Sequence, residues 1–347
     1  MIRVAILGGG IGAQHLDAYN VLDGFRVTHL ADQDDQRRTA LCGDAIIGLS
    51  DIEDAINADV DVIDICLPPH LHAPVAIAAL QEGKHVICEK PLGTSLAQVD
   101  AIGAAARDAG KQVFPVFQYR FGPAFDQLAA LQAAGLAGAP RAAALETHWN
   151  RGADYYAIPW RGTWAGEQGG AVLGHAIHAH DLLATFMAPI AGVTARLGTL
   201  VNSIETEDTA ALIFDLAGGA LATSSITLGN AQDETRLRFV YEHLTATSHT
   251  NPYAPGSGAW TFAARNPADQ PRVDAVIAAT PSGPSGFAGF LNEVAKALNG
   301  DDNTAVTLAD GAASIALVTA IYASDRSGLR VTLPLPSNHA LHDGWQP

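Results

Sequence analysis

Residues 3–32 carry the pattern that most narrows what this chain can fold into. Arg3-Val-Ala-Ile-Leu7 is a short apolar run that ends in Gly8-Gly-Gly-Ile-Gly-Ala13. The next segment repeats Ile11, His15, Leu16, Tyr19 and Leu22 at helical spacing. Phe25–Ala31 reads as a second strand, and Asp32 stands at its end. Strand, glycine turn, helix, strand and acid, in that order, make a Rossmann mononucleotide unit. Gly8 permits the tight turn, and Gly10 removes a side chain where backbone approaches a pyrophosphate. Ala13 serves as the third small residue, where helix and strand pack, giving G-x-G-x-x-A. The helix N-terminus then faces the phosphates. Asp32 lies twenty residues after Gly12 and is positioned to bind an adenosine ribose. A carboxylate there repels a 2′-phosphate, so NAD is favoured over NADP. Arg37 and Arg38 read as too far along to reverse that preference.

The alternation continues beyond Asp32. Asp61-Val-Ile-Asp-Ile-Cys66 is a strand, and Leu67-Pro-Pro-His-Leu-His72 is a turn at its carboxyl end. A helix is expected from Pro74 to Glu82, with Pro74 in its first turn and Gly83 closing it. Val86 to Cys88 is a strand that runs into Glu89-Lys90-Pro91, where the proline ends it. Leu96 to Ala109 reads as a helix capped by Gly110, and Gln112 to Phe117 as a strand leading to Gln118-Tyr119-Arg120. Strands alternating with helices imply a parallel, doubly wound sheet, which binds ligands outside the carboxyl ends of its strands. Asp32, Pro68–His72, Lys90 and Gln118–Arg120 would all emerge on that edge. An isolated Glu-Lys-Pro would read as a strand leaving for solvent; the glycine turn upstream makes it a site.

A chain of 347 residues has room for two domains. Its net charge of −16 argues against a nucleic-acid or anionic-membrane partner. The three cysteines form no metal-like pair, and Cys66 and Cys88 sit in apolar runs as small core residues of a reducing compartment. No basic head or apolar segment precedes the first strand, and no apolar run approaches the roughly 18–20 residues that span a membrane. A cytoplasmic location is expected. His175, His178 and His180 lie close together, but their spacing does not put all three on one helical face. With no HExxH and no carboxylate cluster, no metal is expected.

After Phe121 the alternation stops. Pro123 to Ala134 reads as a helix. Ala142–Trp149, Thr194–Asn202, Thr209–Asp215, Ala220–Leu228 and Arg236–Tyr241 read as strands, several alternating apolar and polar. The expected fold is α/β: an N-terminal Rossmann doubly wound parallel sheet plus a C-terminal α+β domain with a large, mainly antiparallel open sheet. The boundaries are 1–120 for NAD(P) binding and 121–347 for substrate binding and oligomerisation, as a homodimer or homotetramer through the C-terminal sheet. Asn150–Trp164 is rich in aromatics and guanidinium donors. Arg151, Tyr156, Trp160 and Arg161 suit a polyol or sugar, whose C–H faces stack on rings and whose hydroxyls accept from arginine. The Asn251–Asn266 segment, with Trp260, reads either as a lid or as an insertion.

Four segments together resemble a known family: Ile6-Leu-Gly-Gly-Gly-Ile-Gly-Ala-Gln-His15, Pro68-Pro-His-Leu-His72, Gly83–Pro91, and Gly169-Gly-Ala-Val-Leu-Gly-His-Ala-Ile-His-Ala-His-Asp181. Leu308-Ala-Asp-Gly311, an alanine-rich helix through Tyr322-Ala-Ser324, and Val331-Thr-Leu-Pro334 extend the likeness to the end. The chain resembles the glucose–fructose oxidoreductase / inositol dehydrogenase / MocA (Gfo/Idh/MocA) family of NAD(P)-dependent oxidoreductases. The resemblance implies hydride transfer between NAD and a secondary hydroxyl or ketone of a sugar, inositol or related polyol, a dehydrogenase of the CH–OH class. It makes Lys90 and His178 the catalytic pair: His178 takes the hydroxyl proton, Lys90 orients the oxygen, and Glu89 tunes Lys90. Gly8, Gly10, Ile11, Gly12, Asp32, Pro68, His70, His72, Glu89, Lys90 and Gln118 form the candidate cofactor set. Arg120, Arg151, Tyr156, Trp160, Arg161, His175 and Asp181 form the candidate substrate set. The family usually carries an Asp or Asn four residues before the histidine, where this chain has Gly174. Either His175, His180 or another group takes that place, or the step tolerates its absence. The alternatives are a redox-neutral sugar enzyme using held NAD through a keto intermediate, and a sensor that binds nucleotide or sugar without turnover.

Overall fold

The computed structural model describes residues 1–347. In the first part, strands β1 (Ile2–Leu7), β2 (Phe25–Ala31), β3 (Ile47–Leu49), β4 (Val62–Ile65), β5 (His85–Cys88) and β6 (Val113–Pro115) alternate with helices α1 (Gly9–Asn20), α2 (Asp35–Cys42), α3 (Ile52–Ile56), α4 (Pro69–Gln81) and α5 (Leu96–Ala109). The six strands form a parallel sheet in the order β3-β2-β1-β4-β5-β6. That is the doubly wound order, with its switch point between β1 and β4. Val4–Leu7 of β1 and all of β4 are buried, as expected of strands covered on both faces. Ser95 caps α5 by accepting the Gln98 N–H, and Gly110 closes it in the left-handed region at φ 62.

The rest of the chain supplies α6 (Pro123–Ala133), β7 (Pro140–Asn150), α7 (Ala153–Tyr156), α8 (Ile177–Phe186), β8 (Ile190–Gly198), β9 (Thr209–Leu216), β10 (Leu221–Thr227), β11 (Gly229–Tyr241), β12 (Leu244–Thr247), β13 (Thr261–Ala264), α9 (Gln270–Ala279), α10 (Gly286–Asn299), α11 (Leu308–Ser327) and β14 (Val331–Thr332). Its eight-stranded sheet runs β13-β12-β11-β7-β10-β9-β8-β14. Every pairing is antiparallel except β7 with β10. Alternating burial along β9 and β10 marks one covered and one exposed face. Contacts divide the chain into two compact units, Met1–Phe117 with Phe287–Ile315, and Gln118–Gly286 with Ala316–Pro347. Phe290, Leu291 and Val294 of α10 are buried. No helix is long and apolar enough to cross a membrane.

Several expectations need correction. Helix α4 starts at Pro69, not Pro74, so His70 and His72 lie on a helix rather than a turn, and Pro74 sits inside it. Pro69 has the fixed φ that suits a first helical position, and the helix carries through Pro74 despite its missing N–H. Strand β8 spans 190–198 rather than 194–202. Asp208 accounts for the shift: its carboxylate accepts the N–H groups of Leu200, Val201 and Asn202 at 2.7–3.0 Å, which draws that stretch out of the sheet. Strand β11 begins at Gly229, seven residues before the expected Arg236, past an irregularity in its pairing with β7. Part of the 251–266 segment is the edge strand β13.

Candidate active site

In the first unit the glycine turn is built for close backbone approach. Gly8 has φ 94, and a Cβ there would lie 2.5 Å from the Cys66 carbonyl oxygen. A Cβ on Gly12 would lie 2.9 Å from Ile6 Cγ2, whereas one on Gly10 would meet nothing within 4 Å. Gly12, not Ala13, is therefore the third, close-packing position: it faces β1, while Ala13 turns to the half-exposed side. Helix α1 starts without a side-chain cap, at Gly8–Gly9 beside Ile11. An open backbone, an uncapped helix start and a carboxylate at the end of β2 fit the pyrophosphate and ribose of a dinucleotide.

Asp32 is 9% exposed and accepts the N–H groups of Gly9 at 2.6 Å and Asp34 at 2.8 Å. Arg37 Nη1 stands 3.1 Å from Asp32 Oδ2, and Arg38 Nη1 donates to the Asp32 carbonyl at 2.6 Å. Arg37 therefore reaches the carboxylate and Arg38 the backbone carbonyl of Asp32, closer than the spacing suggests. Helix α2 begins only three residues after Asp32, capped by Asp34, and its first turns fold back over the strand end. Burial raises the Asp32 carboxyl, but the two N–H groups and Arg37 outweigh it and hold it below the usual carboxylate range.

Pro68 is the N-cap of α4, and His70 is exposed. His72 is buried, with Nδ1 2.6 Å from the Pro91 carbonyl oxygen and Nε2 2.7 Å from that of Leu67. It ties the Glu-Lys-Pro segment to the end of β4. Lys90 is half-buried beyond the end of β5, its peptide bond to Pro91 is cis, and its N–H donates to Glu89 Oε2 at 3.1 Å. Glu89 Oε1 lies 3.0 Å from His15 Nε2, and His15 Nδ1 lies 2.9 Å from Asp64 Oδ2. Tyr19 donates its hydroxyl to Asp64 at 2.9 Å, Cys66 Sγ is 3.6 Å from both His15 and Asp64, and the Phe287 ring is 4.5 Å from that of His15. Burial disfavours charge on His15, yet Asp64 and the Cys66 sulfur hold its pKa well above the ordinary value. Burial likewise raises Glu89, but the His15 hydrogen bond and charge, then Lys90, bring it below the ordinary value. His15 and Asp64 were missed in the sequence. The signal was an acid inside the apolar strand Val62–Ile65, which cannot be buried without a partner.

In the second unit, Val172–Ala176 forms a π-turn that runs straight into α8. π-turns often mark functional sites. Glu207 accepts the N–H groups of Gly170 at 3.1 Å and Val172 at 3.0 Å, and the Tyr322 hydroxyl at 2.8 Å, which anchors the start of this segment. Burial pushes its carboxyl up to about 7 against those hydrogen bonds. His178 is 4% exposed, and the Tyr119 ring stacks on it at 4.2 Å. Gln118, in the same 3-10 turn as Tyr119, is half-buried. Arg120 and Asp181 pair with each other: Nε donates to Oδ2 at 2.8 Å, and Nη2 stands 2.5 Å from Oδ1. His175 meets Trp149 edge-on at 5.1 Å and lies 3.4 Å from the Tyr155 hydroxyl. His180 instead enters the core, 3.1 Å from Ser224 Oγ and against Phe214, and burial pushes its pKa down to about 3.

The aromatic segment also folds on itself. Arg151 pairs with Asp233 at 2.9 Å and donates to the Tyr253 hydroxyl at 3.0 Å, with Trp149 and Tyr155 under its guanidinium. Arg161 lies 3.8 Å from the centre of the Tyr155 ring and 5.1 Å from that of Trp160, and Tyr156 packs edge-on against Tyr155. Asp233 and Glu167 were not foreseen; Glu167 is 6% exposed and accepts the Gly162 N–H at 2.6 Å.

The parallel sheet, glycine turn and acid after β2 define a dinucleotide-binding fold. The oxidoreductase family with an NAD-binding Rossmann fold, Gfo/Idh/MocA, matches residues 2–117, and its C-terminal domain matches residues 125–247. The chain belongs to this family, and NAD is its cofactor. It is 27% identical over 250 residues to an uncharacterized oxidoreductase of Synechocystis, covering 65% of each chain. It is 34% identical over 143 residues to inositol 2-dehydrogenase of Corynebacterium glutamicum, covering 40% of this chain and 42% of that one. The chain thus spans less than two thirds of the length of these relatives. The WlbA dehydrogenase of Bordetella pertussis, solved with NADH and UDP-GlcNAcA, superposes with a TM-score of 0.83 at 27% identity, over 96% of this chain and 99% of that one.

Proposed function

We propose that the protein oxidises a secondary hydroxyl of a sugar, inositol or related polyol, and reduces the matching ketone in reverse. The observation that carries this reading is Lys90 beyond β5 of an NAD-binding sheet, with Glu89 beside it held ionised by His15. Bound NAD supplies the hydride acceptor. The Lys90 ammonium binds the reacting oxygen and stabilises the negative charge that develops on it. His178 removes the hydroxyl proton, and the stacked Tyr119 ring holds the imidazole in place. Gly8, Gly10, Ile11, Gly12 and Asp32 hold the dinucleotide, with Pro68, His70, His72 and Gln118 in supporting positions. His175, Tyr156, Trp160 and Arg161 form the substrate surface of the second unit, and Arg151 braces it through Asp233. An inositol dehydrogenase and a sugar-nucleotide-bound dehydrogenase among the relatives support the substrate class.

The exposed sheet face, which carries Ile213 at 55% exposure, packs against other copies of the chain in a homodimer or homotetramer. The protein works in the cytoplasm. Incubation with NAD and a panel of polyols, hexoses, pentoses and uronic acids, followed at 340 nm, tests the activity. NADH formation with at least one member is expected. A flat panel from protein that carries tightly held NAD would favour redox-neutral chemistry instead.

A further inference from the structure

Position 174 lies in the π-turn, four residues before His178 in α8, and residues four apart along a helix are neighbours, with Cβ atoms about 5–6 Å apart. Glycine there contributes no side chain, yet the place is filled. A Cβ on Gly174 would find a single neighbour within 4 Å, the Glu167 Oε1 atom, at 3.7 Å. Glu167 is buried, and its other oxygen is fixed by the Gly162 N–H at 2.6 Å. Gly162 has φ 68, and a Cβ there would lie 2.7 Å from Ile204 Cγ2, so the turn that presents this N–H is closely packed. The carboxylate acts on its surroundings: burial first and then the Glu167 charge push the Tyr155 hydroxyl up to about 12. The other two groups that could stand in for an acid at 174 are engaged elsewhere. His180 turns to Ser224 and Phe214, and His175 to Tyr155 and Trp149.

We propose that Glu167 supplies, from the loop before the histidine segment, the carboxylate charge that a side chain at 174 would otherwise place beside His178. Glu167 is a positioning residue. It steadies the His178 imidazole and stabilises its protonated form once the substrate proton has been taken. Near His178 stand the stacked Tyr119, His175 in the π-turn three residues before it, and Asp181 three residues after it, whose charge is paired with Arg120. The proposal rests on His178 as the base, but its placement of charge is testable without turnover.

The test is an NMR titration of histidine-labelled protein, with the His178 signal assigned by its loss in His178→Asn. Glu167→Gln keeps the shape and the Gly162 hydrogen bond and removes the charge; the His178 pKa is expected to fall by about one unit or more. Glu167→Gln with Gly174→Asp returns the charge from the other position, and the pKa recovers. A Cβ at 174 would meet Glu167 Oε1 at 3.7 Å, an ordinary van der Waals distance, and Gly174 is not among the glycines with positive φ. Gly174→Asp alone adds a second charge and raises the pKa, which serves if the Gln variant does not fold. In turnover, Glu167→Gln lowers kcat more than it raises KM, and the double variant restores kcat. A His178 pKa unmoved by Glu167→Gln, or by Gly174→Asp where only that variant folds, overturns the proposal. A pKa that moves while kcat does not would retain Glu167 and remove His178 as the base.

Discussion

His15 Nε2 lies 3.0 Å from Glu89 Oε1, and its other ring nitrogen lies 2.9 Å from Asp64. The buried His15 ring, its pKa held well above the ordinary value, thus sits between two carboxylates, of which Glu89 is adjacent in sequence to Lys90. The arrangement orients Glu89 and keeps its negative charge beside the lysine. Replacing one member leaves the others uncompensated in the core, which costs about 3–5 kcal/mol for buried pairs.

Asp64→Asn should therefore lower the melting temperature by several degrees and flatten its pH dependence. The folded His15 pKa is raised above its unfolded value, so the stabilisation from its charge is complete below about pH 6.5 and is lost as pH rises through the folded value. Urea unfolding from pH 6 to 9 should show wild-type stability falling with pH and a shallower fall in the variant. Equal slopes would contradict a charged His15.

Asp32→Ala should relax the cofactor preference. The acid that repels a 2′-phosphate is removed, while Arg37 and Arg38, which contact it, remain to bind that phosphate. Fluorescence titration should show NADH affinity reduced and NADPH affinity increased. A fall in both would mean that the arginines do not face the ribose.

The contrast between Asp32 and its arginines shows what could be read from the sequence and what could not. The parallel sheet, helix α5 with its Ser95 and Gly110 caps, and the Glu-Lys-Pro strand were all legible, because periodicity and capping are local. The reach of Arg37 and Arg38 was not, since it depends on how tightly α2 folds back. The start of α4 is not legible in the sequence, because Pro74 reads as a first-turn proline whereas Pro69 already holds that place. Glu167 was invisible for a different reason. Sequence alignment looks for the acid at 174, whereas the carboxylate arrives in space from seven residues upstream.

Asp181→Asn separates a structural role from substrate binding. Arg120 and Asp181 are nearly buried and pair bidentately, so the variant leaves a guanidinium without its counter-charge and should lose about 3–5 kcal/mol of stability. Differential scanning fluorimetry checks this. A preserved melting temperature with a raised substrate KM would instead place Asp181 against the substrate.

Tyr119→Leu removes the ring stacked on His178. Aromatic stacking contributes about 0.5–1.5 kcal/mol, so kcat should fall by roughly 2- to 12-fold with NAD affinity unchanged. Steady-state kinetics with saturating NAD would show it; an unchanged kcat would remove Tyr119 from the support of His178.

The central claim, that Lys90 stabilises the oxygen from which hydride leaves, is tested most directly by Lys90→Met. With a substrate found in the polyol and sugar panel, NADH formation at 340 nm should fall by orders of magnitude, while NADH binding, measured by fluorescence titration, stays within a few-fold of wild type. Turnover close to wild type would contradict the account.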